Sequence, residues 1–232
     1  MAKNNAKNAA EKEERGGLIT RDYKTTLETR EENELGIIEG RPIVYGAFAD
    51  IGGMFREIIM PGALDKCDLT DVRLCLNHDT GYVYARSRNN TANSTMQLTP
   101  DNEGLYFRAG LAIKDSPRAK DYYSAVMRGD MDKMSFMFAI ADEEWDDLDT
   151  DYPTRKIISL ATVVEISAVT FPAYEATSIN ARDKAALESA RQALENAKRS
   201  NGGTLDSVNS NPLELEKAKF DFITKFTRSM KS

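Results

Sequence analysis

Apolar and polar positions alternate through most of residues 18–181, and the pattern predicts short strands. The segment KTTLETRE alternates, and GIIEGRPIVYGAFA places β-branched residues between glycines. In VRLCLNH, strand periodicity puts Val72, Leu74, Leu76 and His78 on one face and Arg73, Cys75 and Asn77 on the other. TMQLTP and GLYFRAGLAI read as two strands flanking a turn at Pro100-Asp101-Asn102-Glu103-Gly104. KMSFMFAI is a further strand, DEEWDDLDTD an acidic loop, and RKIISLATVVEISAVTF a long apolar strand.

One helix interrupts the series. Ser116 is a good N-cap, Pro117 suits the first helical position and Gly129 is placed to end the element. Ala119, Tyr122, Tyr123, Val126 and Met127 recur at helical spacing and are expected to face a core. Many strands and few helices predict a mainly β fold with α (α+β), a partly closed β-barrel decorated by helices.

The pattern changes at both ends. Residues 1–17 are polar, Asn- and Lys-rich and close on Gly16-Gly17, which predicts a disordered tail, either a leader without function or a segment trimmed away. Residues 18–181 form the expected domain. Residues 182–200 read as a helix with Leu187, Ala190, Leu194 and Ala197 on one face, 201–211 as a Gly/Ser/Asn linker, and 212–232 as an amphipathic helix with Phe220, Ile223, Phe226 and Met230 at helical spacing. Helices this short and detached need a partner, the domain itself or a second copy to pack on, so self-association is one of the readings.

Composition narrows the chemistry. With 31 Lys and Arg against 37 Asp and Glu, the net charge of -6 disfavours a dedicated nucleic-acid binder. No run of 18 apolar residues is present and the N-terminus lacks the apolar stretch of a signal peptide, so neither membrane insertion nor export is expected. Cys67 and Cys75 are then expected to be reduced thiols. One histidine and two cysteines fall short of a four-ligand zinc site, and no metal or cofactor is expected.

The lone histidine concentrates any acid–base work near neutral pH on His78. Taken alone, a histidine at a strand end is more often a structural residue. Cys75, three residues away along the strand, falls on the opposite face and is a poor partner, and nothing around Cys67 marks a reactive thiol. Ser135 is a small polar residue inside the apolar strand MSFMF, with Met134, Phe136 and Phe138 turned the other way; it is either a nucleophile or a filler of a crowded position. Glu165 lies in VVEISAV, sharing a face with Ser167, where a carboxylate is costly to bury alone. It is read either as a structural ion-pair partner of Arg155 or another cation, or as the acceptor of the second His78 ring N–H. The acidic segment 142–151, with seven carboxylates in ten residues, is a solvated loop or a selector of basic peptide segments.

Taken in order, GAFADIGGMFREIIMPGAL, LCLNHDT, GLYFRAGL, RGDMDKMSFMF and VVEISAVTFPAYEAT resemble the caudoviral prohead protease family, distant kin of the herpesvirus assemblin peptidases. The resemblance spans residues 20–181. It implies a serine endopeptidase with His78 as general base, Ser135 as nucleophile and Glu165 as third member, and Arg155 as a helper. The assemblins use a second histidine where Glu165 stands, and many family members carry Gly where Met137 stands. The implied substrates are scaffolding protein, the scaffold-like N-terminal part of the major capsid protein and the protease itself, acting in the host cytoplasm inside the assembling prohead. The competing readings are an internal scaffold without turnover, a β-barrel binding module, and a hydrolase of esters or other amides.

Overall fold

In the computed structural model, the described residues are 18–24, 27–170 and 181–200. The terminal tail, the 201–211 linker, the 212–232 helix and the Phe-Pro-Ala-Tyr motif lie outside them. Among the described residues, eleven strands and two helices follow in chain order: β1 (Ile19–Lys24), β2 (Leu27–Glu32), β3 (Leu35–Val44), β4 (Phe48–Ile51), β5 (Phe55–Ile59), β6 (Asp71–Leu76), β7 (Ala85–Arg88), β8 (Met96–Asp101), β9 (Gly104–Leu111), α1 (Pro117–Met127), β10 (Lys133–Asp146), β11 (Thr154–Val169) and α2 (Ala181–Ser200). The mainly β architecture with helices holds, and its strands fall into two sheets, neither closed into a barrel. The smaller sheet runs β2-β3-β9-β8, and the larger runs β1-β10-β11-β5-β4 with β6 and β7 joined to the far part of β11.

β11 organises the larger sheet. It pairs antiparallel with β10 along its length. On its other side it takes two parallel partners in succession, β5 beside Thr154–Ile157 and β6 beside Glu165–Ala168. Its apolar content matches this double flanking, since a strand paired on both sides and buried on both faces needs few polar positions. One continuous core draws Ile38, Ile43 and Phe107 from the smaller sheet and Leu74, Phe136, Phe138 and Ile166 from the larger. Phe136 and Phe138 stack at 4.8 Å, so the alternation that points Ser135 one way packs these rings together on the other.

Helix α1 forms as its sequence dictates. Ser116 Oγ accepts from the Ala119 N–H, Pro117 opens the first turn, and Gly129 follows the Arg128 C-cap at φ +76°. Ala119, Tyr122, Tyr123 and Val126 are buried, whereas Met127, expected on the same face, is 56% exposed in the last turn. Tyr123 lies over Gly36 of β3, where a Cβ would stand 2.7 Å from the ring. Glycine thus permits the helix to approach that strand.

The acidic segment 142–151 is not wholly a loop. Residues Asp142–Asp146 continue β10 and pair with Thr154–Ser159. The reason is side-chain alternation hidden by the high charge: the Trp145 ring meets Phe55 edge-on at 4.9 Å, while Glu143 accepts from Arg155.

The chain divides into two compact units, 1–190 and 191–232. In the first, Leu187 of α2 is buried, and Ala190 is half-buried. Of the second, the described part is the C-terminal half of α2, in which Leu194 is half-buried and Ala197 exposed.

Candidate active site

Cross-strand register assembles the site. Ser135 of β10 stands opposite Asp22 of β1 on one side and Ser167 of β11 on the other, and Ser167 stands beside Cys75 of β6. Directly paired residues project to the same sheet face. Asp22, Ser135, Ser167 and Cys75 therefore form one row, and Thr20, Met137, Glu165 and Arg73 form the next, two residues along. Met137 is half-buried beside Glu165.

His78 arrives from the end of β6, and here the sequence reading needs correction. The strand stops at Leu76, and Asn77 and His78 both adopt left-handed backbone, at φ +50° and +60°. Strand alternation therefore does not extend to His78. The turn is tied down at each step. The Asn77 N–H donates to the Ala168 carbonyl at 3.0 Å, the Asn77 side-chain oxygen accepts from the Thr170 N–H at 2.9 Å, and the His78 N–H donates to Ser167 Oγ at 3.1 Å. Asparagine tolerates this conformation better than most residues. The reversal swings the imidazole back over the sheet.

There it meets both expected partners. His78 Nδ1 is 2.7 Å from Glu165 Oε2, and His78 Nε2 is 2.6 Å from Ser135 Oγ. An ionised carboxylate can only accept, so Nδ1 carries the proton and Nε2 presents its lone pair to the Ser135 hydroxyl. That hydroxyl has a second acceptor, the Arg21 carbonyl oxygen of β1, at 3.0 Å. Ser135 is fully buried and Glu165 only 2% exposed, while the His78 side chain is 23% exposed and forms the open edge of the group. The carboxylate is burdened by burial but not abandoned: Oε2 faces the imidazole and Oε1 accepts from the Ser167 hydroxyl.

The other candidates lie elsewhere. Arg155 does not reach Glu165; it belongs to a separate buried ion cluster. Arg21 Nε donates to Glu57 at 2.6 Å and Arg21 Nη2 to Asp183 at 2.7 Å, while Arg155 Nη1 reaches Glu57 at 3.2 Å and Asp183 at 3.4 Å. Register explains the separation, because Arg155 sits at the opposite end of β11, beside Glu57 of β5. Burial works against the Glu57 charge, yet Arg21 and Arg155 outweigh it and hold the carboxyl below its ordinary value. Cys75 shares the site's row, but its thiol is pushed up to about 12, first by burial and then by the Glu165 charge. Burial and Asp68 push the Cys67 thiol up to about 12 as well. Neither thiol offers an accessible thiolate near neutral pH. Among the described residues, no group of His, Cys, Asp and Glu is arranged to hold a metal ion, and no helix is long and apolar enough to cross a membrane.

Sequence reasoning missed the Ser167 hydroxyl, the Asn77 side chain and the Arg21 carbonyl as members of this site. The placement of Glu165 and Ser167 on one strand face was the available signal for the first. Backbone carbonyls and left-handed turns leave no comparable trace.

A nucleophile-type hydroxyl, an imidazole and a buried carboxylate in one hydrogen-bonded line have the geometry of a serine hydrolase. Residues 22–192 match the caudovirus prohead serine protease family, and the chain belongs to it. That match runs past the expected domain end at 181 into α2. No curated protein is matched. A solved structure, that of the bacteriophage T4 capsid assembly protease, gp21, is similar at 12% identity, covering 67% of this chain and 98% of that one with a TM-score of 0.39.

Proposed function

We propose that this chain is a serine endopeptidase of prohead maturation, cleaving scaffold and capsid proteins and its own chain inside the assembling prohead. Ser135 is the nucleophile, His78 the general base and acid, and Glu165 the group that fixes the imidazole. The observation that carries this reading is the continuous line from Glu165 Oε2 through both His78 nitrogens to Ser135 Oγ, with spans of 2.7 and 2.6 Å. Family membership supports capsid-assembly proteins as the substrate class.

In the first half-reaction His78 Nε2 takes the Ser135 proton as Oγ bonds to the scissile carbonyl carbon. Glu165 accepts the Nδ1 hydrogen bond throughout and stabilises the imidazolium that forms. The carbon–nitrogen bond then breaks as His78 returns the proton to the departing amine, leaving an acyl ester on Ser135. Water repeats the sequence, with His78 again accepting and returning a proton. The Arg21 carbonyl competes for the Ser135 proton in the resting state, and the shorter contact to His78 favours the productive direction.

The test is co-expression of the full chain with its capsid protein, followed by mass spectrometry of the resulting termini. The wild type is expected to shorten itself and its partner, and Ser135→Ala and His78→Ala are expected to leave both at full length. If the wild-type pair stays intact, or the Ser135→Ala pair is shortened equally, the peptidase reading fails and an internal scaffold without turnover takes its place.

A further inference from the structure

The hydrogen-bond line described above uses one oxygen of Glu165 and the ring of His78, and both residues are also held from a second direction by the same atom. Ser167 Oγ donates to Glu165 Oε1 and accepts the backbone N–H of His78 at 3.1 Å. Ser167 is fully buried, directly opposite Ser135 across the β10–β11 ladder. We infer that Ser167 is a positioning residue of the active site, fixing the Glu165 carboxylate plane and the His78 turn together; this rests on the reading of Ser135, His78 and Glu165 as the catalytic set.

Three features carry the inference. A glutamate held at one oxygen alone can rotate about its terminal torsion, which is broad and soft, whereas a bond at each oxygen fixes its plane. His78 occupies a left-handed conformation that a non-glycine residue adopts only when its surroundings impose it, and its N–H is among the groups that lock it there. A hydroxyl supplies one donor and two acceptor sites, so one serine satisfies the carboxylate and the amide at once. Acyl transfer consumes no proton from Ser167, so its contribution is geometric: the base and its carboxylate cannot drift apart while one atom ties both. Without that hydroxyl, Glu165 Oε1 and the His78 N–H both lose a buried partner.

The experiment uses the full chain, a fluorophosphonate that reacts with the Ser135 hydroxyl, and the ring ¹⁵N spectrum of the single histidine. Removal of the hydroxyl in Ser167→Ala is expected to lower the maximal labelling rate by about 10- to 100-fold, with the half-saturating probe concentration nearly unchanged. Ser167→Thr keeps the hydroxyl and is expected to restore most of the rate. The histidine spectrum is expected to show one tautomer, protonated at Nδ1, in the wild type and in Ser167→Thr, and a mixture in Ser167→Ala. A structural role alone would lower thermal stability and leave the labelling rate and the tautomer as they are; that result overturns the inference. Should the alanine variant not fold, Ser167→Cys, with its weak donor, carries the same comparison and is expected to fall between alanine and threonine. Glu165→Gln and His78→Ala serve as controls: if they label at the wild-type rate, the catalytic reading itself has failed, whereas slow controls beside a fast Ser167→Ala reject only the role of Ser167.

Discussion

Arg21 faces Ser135 through its backbone and Glu57 through its side chain, so one residue joins the candidate nucleophile to a buried ion cluster. Its carbonyl oxygen lies 3.0 Å from Ser135 Oγ, while its guanidinium meets Glu57 at 2.6 and 3.1 Å. The strand that borders the site is therefore anchored by charges on the other side of the sheet.

Removing one anion from that cluster is expected to be costly. Glu57 is fully buried, and Glu57→Gln leaves Arg21 and Arg155 sharing Asp183 and the more exposed Glu143. Breaking such a pair from one side costs about 3–5 kcal/mol, because the remaining charge stays desolvated. Denaturant unfolding of wild type and Glu57→Gln measures it; a difference below about 1 kcal/mol, the range of exposed pairs, would show that the cluster is open to water.

The same carboxylate sets an acid limit. Because the folded state holds Glu57 below its ordinary value of 4.5, the ionised form is favoured by folding. Its contribution is complete above that pH and is lost as pH falls through the lower folded-state value. Thermal unfolding is expected to move to lower temperature below pH 4.5, and less steeply in Glu57→Gln. Parallel curves for the two proteins would assign the acid loss to other carboxylates.

The strand series and the α1 caps were legible in the sequence because each follows from a local rule; local rules also drew attention to His78, Ser135 and Glu165 without deciding their roles, and their grouping as one candidate site came from the family resemblance. Ser116, Pro117 and Gly129 act within their own turns, and a lone polar residue in an apolar strand is conspicuous by the cost of burying it. The Arg21–Glu57–Arg155–Asp183 cluster was not legible, since its members come from β1, β5, β11 and α2 and meet through register and tertiary packing. Glu57 in FREIIM nevertheless carried the warning that drew attention to Glu165, a carboxylate among large apolar residues. The strand character of Asp142–Asp146 was hidden by charge, which mimics a loop when the few anchoring contacts, at Glu143 and Trp145, come from other strands.

The thiols are expected to be inert in the folded chain. Cys67 and Cys75 are both pushed up to about 12, chiefly by burial. Iodoacetamide at pH 8 is expected to modify neither residue in the native protein and both after unfolding, as read by intact mass. Rapid native alkylation of Cys75 with loss of Ser135 labelling would mean that the thiol side of the row is open to solvent.

Charge on the third residue is separable from its shape. Glu165→Gln preserves volume but removes the negative charge that faces Nδ1–H, and the donor face of the amide can impose the wrong tautomer on His78. Comparable carboxylate-to-amide changes in serine hydrolases lower turnover by about 10⁴-fold, and a loss on the order of 10³- to 10⁴-fold is expected here. The rate of self-shortening by the full chain, followed over time, measures it. A loss below about ten-fold would leave Glu165 as a buried structural carboxylate.

The His78 turn gives the last prediction, because its two requirements can be pulled apart at Asn77. The backbone there is left-handed, at φ +50°, and the side-chain oxygen also accepts from the Thr170 N–H at 2.9 Å. Asn77→Gly satisfies the first requirement and not the second, while Asn77→Ala fails both. A left-handed alanine costs about 1–2 kcal/mol, which glycine avoids. If backbone conformation is what the position supplies, Asn77→Gly is expected to unfold near the wild-type midpoint and to keep the wild-type labelling rate at Ser135. If the bond to Thr170 is what orients His78, both variants lose labelling alike while only the alanine variant loses the larger share of stability. Two consecutive left-handed residues ending in a catalytic-type imidazole favour the second outcome: the turn must hold the ring within hydrogen-bond reach of two partners at once, and a glycine hinge with no side-chain anchor leaves that reach to two backbone N–H bonds, from position 77 to Ala168 and from His78 to Ser167.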